Sequence, residues 1–200
     1  CMQPLDTHDT ARFATHAAPG VIPVAVGLSM TLPGLPVVFA GDEFGLTGVD
    51  GEMSRTPLPW DRIDEPDVAA RIDLYRELIG LRRAHPALQA GGFRWLHIDD
   101  AAVVFVRESA DEQVLVLAAR GDVDAELVAP AVVGADRAQA LFGDATLAVS
   151  ADGSVVVSAA GPAFAAWRLP GVVAPSSTAA ASGALPQAGG IADAEAAAAH

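Results

Sequence analysis

Length, composition and charge set the first limits on this chain. It has 200 residues, 52% of them hydrophobic, so it is long enough for one large domain or two small ones with a sizeable core. Its formal net charge of −13 repels phosphate backbones, and no basic stripe offsets that charge, so we expect no nucleic-acid partner. A neutral substrate such as a sugar is not affected by this charge.

The cysteine and histidine content argues against a metal centre. Cys1 is the only cysteine, which excludes an intrachain disulfide and a thiolate cluster. Because His16, His85 and His97 lack the spacing of metal ligands, we expect neither a metal nor a cofactor. No secretory leader opens the chain, and we expect a cytoplasmic protein whose natural N-terminus lies upstream of Cys1, since the first residues already belong to a motif.

An uncharged segment runs from Val21 to Gly41 and is about as long as a membrane-spanning helix. Its prolines and glycines exclude one continuous helix, so we expect no membrane span. We predict a helix from Ile22 to Leu32, ended by Pro33-Gly34. The short apolar run from Leu35 to Ala40 predicts a parallel strand that is buried on both faces.

A long loop follows this strand and is rich in Gly, Asp, Ser and Pro from Phe44 to Arg62. Functional loops emerge at the carboxyl ends of parallel strands in barrel and open α/β enzymes. Asp42 and Glu43 lie at that end, but adjacent side chains leaving a strand point to opposite faces. We therefore predict that both are structural and accept hydrogen bonds from the loop backbone.

A helix is predicted from Glu65 to Ala84, with Asp64 as N-cap, a wide apolar stripe, and Pro86 preventing continuation. From Phe93 the pattern changes to short β-rich runs separated by Gly/Asp turns, which predicts an antiparallel sandwich with Trp95 and Trp167 in its core. The predicted strands are Val103–Arg107, Val114–Ala118, Ala125–Val128, Thr146–Val149, Val155–Ser158 and Phe164–Leu169.

Two changes in the sequence mark the ends of the sandwich region. We place a domain boundary at residues 90–92, where helical periodicity stops. Residues 171–200 consist mainly of Ala, Gly, Ser and Pro, with very few large apolar side chains. Such a composition cannot offset its ordering entropy, so we predict a disordered tail.

Four motifs occur in an order that resembles the alpha-amylase family, glycoside hydrolase family 13. They are THDTARF, LPGLPVVFAGDEFG, SRTPLPWD and LIGLRRAHPAL, and the resemblance extends over about residues 3–170. It implies that residues 1–92 are the C-terminal part of a (β/α)8 barrel, with its last one or two βα units. Residues 93–170 would then be the C-terminal β-sandwich domain, and the fold class is α/β plus all-β.

The resemblance also assigns the candidate site residues. Asp9 matches the carboxylate that grips the sugar hydroxyls and stabilises the transition state, and His8 matches a histidine that hydrogen-bonds to the same ring. Arg55 resembles an arginine that closes the sugar pocket in exo-acting members by pairing with an aspartate from the first part of the barrel. Retaining hydrolysis needs a nucleophile and an acid about 5 Å apart, and in the family both come from strands before the His-Asp motif.

Each of these residues has a simpler interpretation when it is considered alone. Asp9 would be a helix N-cap, His8 a loop residue and Arg55 an exposed loop cation. Trp60 could stack on a sugar, although a buried packing role beneath the loop is favoured. Arg12 is predicted to form an ion pair rather than to bind a ligand.

The sequence therefore predicts a fragment of a retaining glycoside hydrolase that acts on alpha-glucosidic bonds in maltodextrins or related oligosaccharides. The GVDGEMSRTPLPWD segment favours an exo-acting alpha-glucosidase. We expect the isolated chain to be inactive, because the nucleophile and acid lie upstream. The alternatives are a noncatalytic carbohydrate-binding or structural module, and a piece that completes a barrel supplied by another chain.

Overall fold

A computed structural model describes residues 1–127 and 132–170 of the chain. The predicted tail at residues 171–200 lies outside the described residues. Within the described part, no helix has both the length and the apolar character that crossing a bilayer requires.

The first part of the chain forms a parallel strand pair with a crossover helix. Strand β1 (Met2–Pro4) is followed by a short helix α1 (Phe13–His16), helix α2 (Val21–Thr31) and strand β2 (Leu35–Val37). The two strands pair in parallel, with Met2 opposite Leu35. The predicted helix and the parallel character of the strand after it are confirmed, with ends that differ by one to three residues.

The prediction that this strand is buried on both faces is wrong. Leu35 is 63% exposed and Val38 is 38% exposed. Within residues 1–127 and 132–170, β1 and β2 form a sheet of two strands, so each has one edge without a partner strand. The apolar side chains of a parallel strand remain in water when neighbouring strands and helices do not cover them.

The long helix forms where the periodicity predicts it. Helix α3 (Pro66–Ala84) begins with a proline in its first turn, and a short helix α4 (Pro86–Ala90) follows it. The N-cap is Glu65 and not the predicted Asp64. The predicted apolar stripe is buried at five positions and half-buried at two: the buried residues are Val68, Ile72, Tyr75, Leu78 and Leu81, and the half-buried ones are Leu74 and Ile79.

The remaining strands form the predicted antiparallel β-domain. The strands are β3 (Gly92–Ile98), β4 (Ala102–Glu108), β5 (Glu112–Ala119), β6 (Val123–Leu127), β7 (Gln139–Phe142), β8 (Thr146–Val149), β9 (Val155–Ala159) and β10 (Ala163–Pro170). One sheet has the order β3-β4-β5-β10-β7 and the other the order β6-β9-β8. Strands β3 and β7 are absent from the sequence prediction because their partly polar residues show no clear β-rich run.

The five-stranded sheet is covered on both faces. Leu115 and Leu117 of β5 belong to the core that faces the three-stranded sheet. Val114 and Val116 of the same strand belong to a second core with side chains of α2, α3 and α4. Strand β3 begins at Gly92, but this second core continues across that residue, so the division into two domains stays a prediction.

The two tryptophans predicted in the sandwich core differ. Trp167 is buried in the core between the sheets, as predicted. Trp95 is 46% exposed, so the prediction that it is a core residue is wrong. Its ring lies on the outer part of the sheet, edge-on to Phe93 and Phe105 at centroid distances of 4.7 and 5.6 Å.

Two buried arginines join the helices to the sheet. Arg107 of β4 donates hydrogen bonds to the carbonyl oxygens of Thr31, Leu88, Gly91 and Gly92. Arg82 of α3 donates to three carbonyl oxygens around the end of α2, those of Met30, Leu32 and Gly34. These side chains satisfy carbonyls that helix ends leave without intrahelical partners.

Candidate functional site

The first part of the site is a tight turn directly after β1. The Thr10 amide donates to the Thr7 carbonyl at 3.2 Å, and the Thr7 amide donates to Thr10 Oγ1 at 2.9 Å. The Asp9 amide donates to Thr7 Oγ1 at 3.3 Å. Because the backbone of the turn is held by these bonds, the side chains of His8 and Asp9 are left at the surface.

The second part is the loop that follows β2. The Met53 amide donates to Asp50 Oδ1 at 2.9 Å, and the Ser54 amide donates to the Asp50 carbonyl at 3.0 Å. Gly51 packs directly on the turn, since a Cβ there would lie 2.9 Å from the His8 carbonyl oxygen and 3.1 Å from the Asp9 backbone. A residue without a side chain is therefore what allows the two segments to meet.

The structure brings the three sequence-predicted site residues together. Arg55 Nη2 lies 3.3 Å from Asp9 Oδ1, and Arg55 Nε donates to the His8 carbonyl at 3.0 Å. His8 Nε2 lies 3.1 Å from Asp9 Oδ2. The side chains of Asp9 and Arg55 are 68% and 55% exposed. An imidazole, a carboxylate and a guanidinium thus form one open polar surface.

One simpler interpretation of these residues is wrong and another is confirmed. Asp9 is not a helix N-cap, because α1 begins at Phe13 and the residue before it is Arg12. Arg55 is an exposed loop cation, as the simpler interpretation predicts, and it also forms an ion pair. Its carboxylate partner in the described residues is Asp9, not the aspartate from the first part of a barrel that the family resemblance suggests.

A buried ion pair lies beneath this surface. Arg12 is 1% exposed, and its Nη1 lies 2.8 Å from Asp42 Oδ1, so the prediction of an ion pair for Arg12 is confirmed. Asp42 Oδ2 also accepts a hydrogen bond from the Phe39 amide, and Glu43 Oε2 accepts one from the Gly41 amide. The predicted structural roles of Asp42 and Glu43 are therefore confirmed.

Asp6 completes this cluster and was not singled out by the sequence. Its Oδ2 accepts a hydrogen bond from the Phe13 amide at 2.6 Å, and its Oδ1 lies 3.8 Å from Arg12 Nη1. Burial and the nearby carboxylate of Asp6 raise the pKa of Asp42 to about 7, against the opposing effect of Arg12. In the sequence, Asp6 is only an aspartate three residues before Asp9, and no pattern around it predicts a buried role.

Trp60 lies on the same loop as Arg55 and differs from its prediction. It is 63% exposed, whereas the sequence favoured a buried position beneath the loop. Its ring lies edge-on to Phe44, with a centroid distance of 5.4 Å. Phe44 is itself buried and packs with Val68 and Ile72 of α3.

Histidines elsewhere in the fold bind carboxylates. His85 Nδ1 lies 2.8 Å from Glu112 Oε2, and His97 Nε2 lies 2.9 Å from Asp99 Oδ2. Within the part of the chain that the structure describes, no group of three or more His, Cys, Asp or Glu side chains is arranged to hold a metal ion. The polar surface at Asp9 can donate and accept hydrogen bonds, which is the chemistry required to bind neutral hydroxyl groups.

The fold defines the class of protein: an α/β unit is joined to an antiparallel β-domain. The charged residues of the site lie at the carboxyl ends of parallel strands, the position that functional residues occupy in barrel enzymes. Known proteins with related sequences are alpha-glucan hydrolases by name. The chain is 35% identical over 123 residues to neopullulanase 2 of Thermoactinomyces vulgaris, covering 59% of this chain and 21% of that protein. It is 34% identical over 118 residues to a cyclomaltodextrinase of Bacillus sp., covering 56% of this chain and 21% of that protein.

The solved structures agree at the level of the fold. An alpha-amylase from Anoxybacillus superimposes with a TM-score of 0.72 at 23% identity, over 85% of this chain and 38% of that chain. No family profile matches the sequence. Over the part that these similarities cover, the chain is related to the alpha-amylase family, glycoside hydrolase family 13, and the resemblance is confirmed. The chain spans about a fifth of the length of these curated relatives, 21% in each case.

Proposed function

We propose that this chain supplies the end of a catalytic barrel and the C-terminal β-domain of a retaining glycoside hydrolase that cleaves alpha-glucosidic bonds in maltodextrins or related oligosaccharides. The observation that carries the proposal is the contact of Asp9 with Arg55 and His8 at the carboxyl ends of two parallel strands. In this proposal, Asp9 binds the hydroxyl groups of the sugar, and His8 and Arg55 lie beside it. The exo-acting subtype rests on the segment around Arg55.

The chain is expected to bind a sugar without cleaving it. Contacts to hydroxyl groups that tighten in the transition state supply several kcal/mol of catalysis, but they cannot replace a nucleophile and an acid. In the proposed enzyme, both of those groups belong to an N-terminal part of the barrel that these 200 residues do not include. This part is the proposed partner, and the two edges of the β1–β2 sheet that have no partner strand among the described residues support it.

The first experiment is an NMR titration of the 15N-labelled chain with maltotriose. Signals of residues 7–10 and 50–55 are expected to shift, and Asp9→Asn is expected to weaken binding at least about tenfold, because hydrogen bonds to a charged group contribute about 1.5–3 kcal/mol. Asp73→Asn is the matched control, since Asp73 is exposed and pairs with an arginine on α3. Equal affinity of wild type and Asp9→Asn would contradict the assignment of Asp9.

The second experiment tests catalysis with an aryl alpha-glucoside. The purified chain is expected to release no product above the buffer rate. Turnover that Asp9→Asn abolishes would overturn the proposal that the nucleophile and acid lie outside these residues. Turnover that survives in Asp9→Asn would point to a contaminating enzyme, which a second purification step would remove.

One observation favours a second candidate, a noncatalytic carbohydrate-binding module. Trp95 presents an exposed ring on β3, supported by Phe93 and Phe105. Exposed aromatic faces stack on apolar ligand surfaces. The same maltotriose titration separates the candidates: loss of binding in Trp95→Ala, with no effect of Asp9→Asn, would favour the module.

A further inference from the structure

The ion pair between Asp9 and Arg55 is too weak to determine the positions of the two segments that carry it. Both side chains are more than half exposed, and an exposed ion pair contributes between zero and about 1 kcal/mol. Such a pair cannot hold two long loops in one arrangement. The positions of residues 9 and 55 must therefore be determined by groups beneath them.

Arg12 is the group that connects the two loops. Its Nε and Nη2 donate to the Ser54 carbonyl at 3.2 and 2.9 Å, directly before Arg55 in the chain. Its own amide donates to the Gly48 carbonyl at 2.8 Å. Its Nη2 also donates to the Ala40 carbonyl at 2.7 Å, just beyond the end of β2.

Ser54 extends this connection to the turn that carries Asp9. Its side chain is fully buried, and its Oγ lies within 2.8 Å of the Thr10 carbonyl and 2.6 Å of the Asp50 carbonyl. Thr10 is the residue next to Asp9. The backbone on both sides of the Asp9–Arg55 contact is thus attached to one buried guanidinium.

Asp6 and Asp42 hold that guanidinium in place. Arg12 Nη1 lies between their carboxyl groups, 2.8 Å from Asp42 Oδ1 and 3.8 Å from Asp6 Oδ1, and the guanidinium lies 3.8 Å from the ring centre of Phe39. A guanidinium supplies five donors in a rigid fork, so it can serve one carboxylate and several carbonyls at once. A lysine ammonium in this place would keep the charge but lose the fork.

We propose that Arg12, held between Asp6 and Asp42, is a positioning residue that sets Arg55 against Asp9. Its relevance to sugar binding rests on the proposed function, whereas its effect on the two loops does not. Arg12 itself is buried and touches no ligand. Its guanidinium acts through the Ser54 carbonyl, and the Ser54 hydroxyl extends the connection to the Thr10 carbonyl.

The test measures exchange of the Arg55 Nε proton with water in the 15N-labelled chain. This proton is bonded to the His8 carbonyl, and its signal is identified by its loss in Arg55→Met. In Arg12→Lys and Arg12→Met, exchange is expected to accelerate about five- to tenfold, the effect of losing a hydrogen bond of ordinary strength. Amide protection in β4 and β5 is expected to persist, which distinguishes positioning from a general loss of structure.

Arg76→Met is the control for loss of an ion-paired arginine elsewhere in the chain, because Arg76 lies on α3 with its Nη1 3.0 Å from Asp73 Oδ1. It is expected to leave the Arg55 proton unchanged. Unchanged exchange at Arg55 in a folded Arg12→Lys or Arg12→Met variant would overturn the proposal. Loss of the fold in both Arg12 variants would also count against it, since Arg12 would then act on the whole molecule.

The maltotriose titration keeps the two proposals separate. If the wild-type chain does not bind the sugar but exchange at Arg55 depends on Arg12, the proposed function fails and the positioning role stands. If the sugar binds and Arg12→Lys binds it as tightly as wild type with unchanged exchange at Arg55, the positioning role fails alone.

Discussion

At the scale of single residues, a buried carboxyl group controls how the site region responds to pH. Because the pKa of Asp42 is raised to about 7, the folded protein holds a proton there that an unfolded aspartate releases near pH 4. The resulting contribution to the free energy of unfolding is complete below about pH 4 and is lost as the pH rises to about 7. Tyr75, Glu43 and Arg71 also lie within electrostatic range, so this region is crowded with titratable groups.

We predict that Asp42→Asn removes this pH dependence. Asparagine imitates the neutral acid, so wild type should lose stability relative to the variant between about pH 4 and about pH 7, by at most about 1.4 kcal/mol per pH unit. Urea unfolding followed by circular dichroism across that range measures the difference. Parallel pH profiles of the two proteins would contradict the prediction.

Arg107 is the second residue whose burial has a measurable consequence. Its side chain is 1% exposed and forms no ion pair among the described residues, and all its described hydrogen bonds go to backbone carbonyls. We predict that Arg107→Met lowers the free energy of unfolding by about 2–4 kcal/mol, because buried carbonyls lose their donors. Urea unfolding tests this, with Arg76→Met as a control that should change stability by less than about 0.5 kcal/mol. A folded Arg107→Met variant with the stability of that control would contradict it.

At the scale of elements, helix α2 packs so closely on β10 that one residue must lack a side chain. A Cβ on Gly27 would overlap the buried ring of Phe164. Gly80 of α3 has nothing within 4 Å of the corresponding position. The two glycines therefore form a natural pair in which the same substitution has opposite effects.

We predict that Gly27→Ala destabilises the protein by about 1–3 kcal/mol through overpacking, despite the better helix propensity of alanine. Gly80→Ala should stabilise it by about 0.5–1 kcal/mol, because only the propensity changes. Thermal unfolding of both variants against wild type provides the measurement. A stabilising Gly27→Ala would mean that α2 can move away from β10.

The helices also show where local patterns predict structure well. The apolar stripe of α3 follows a 3.6-residue period and faces the core as predicted, although two of its members, Leu74 and Ile79, are only half-buried. Strands β4, β5 and β10 were predicted within two residues, and the edge strands β6 and β8 were also predicted, because each contains a run of β-forming residues. Strands β3 and β7 were missed, since their residues show no clear β-rich run and their strand conformation depends on a neighbour that is distant in sequence.

At the scale of the whole molecule, the protein combines a well-packed β-domain with an open parallel edge. Met2 of β1 and Leu35 of β2 are 67% and 63% exposed, respectively. Unpaired edges with apolar side chains promote pairing with other chains. In the proposed enzyme, further barrel strands would pair with this same edge.

We predict that Leu35→Lys reduces self-association of the chain, because a charge at an edge strand blocks intermolecular pairing. Sedimentation velocity over a range of protein concentrations measures the effect. Met53→Lys is the control, since Met53 is also exposed but lies in a loop. Self-association that responds equally to both substitutions would indicate a general effect of charge.

The sequence alone determined the local elements and the family. Periodicity identified α2, α3 and the central strands, and four ordered motifs identified the resemblance and named His8, Asp9 and Arg55, because these signals lie in contiguous residues. The tertiary structure alone decided that Arg55 pairs with Asp9, that Asp6 and Asp42 hold Arg12 beneath them, and that Trp60 and Trp95 are exposed. The physical reason is that the partner of an ion pair and the exposure of a single ring depend on which distant segments meet, whereas a local pattern shows only which face of an element is apolar.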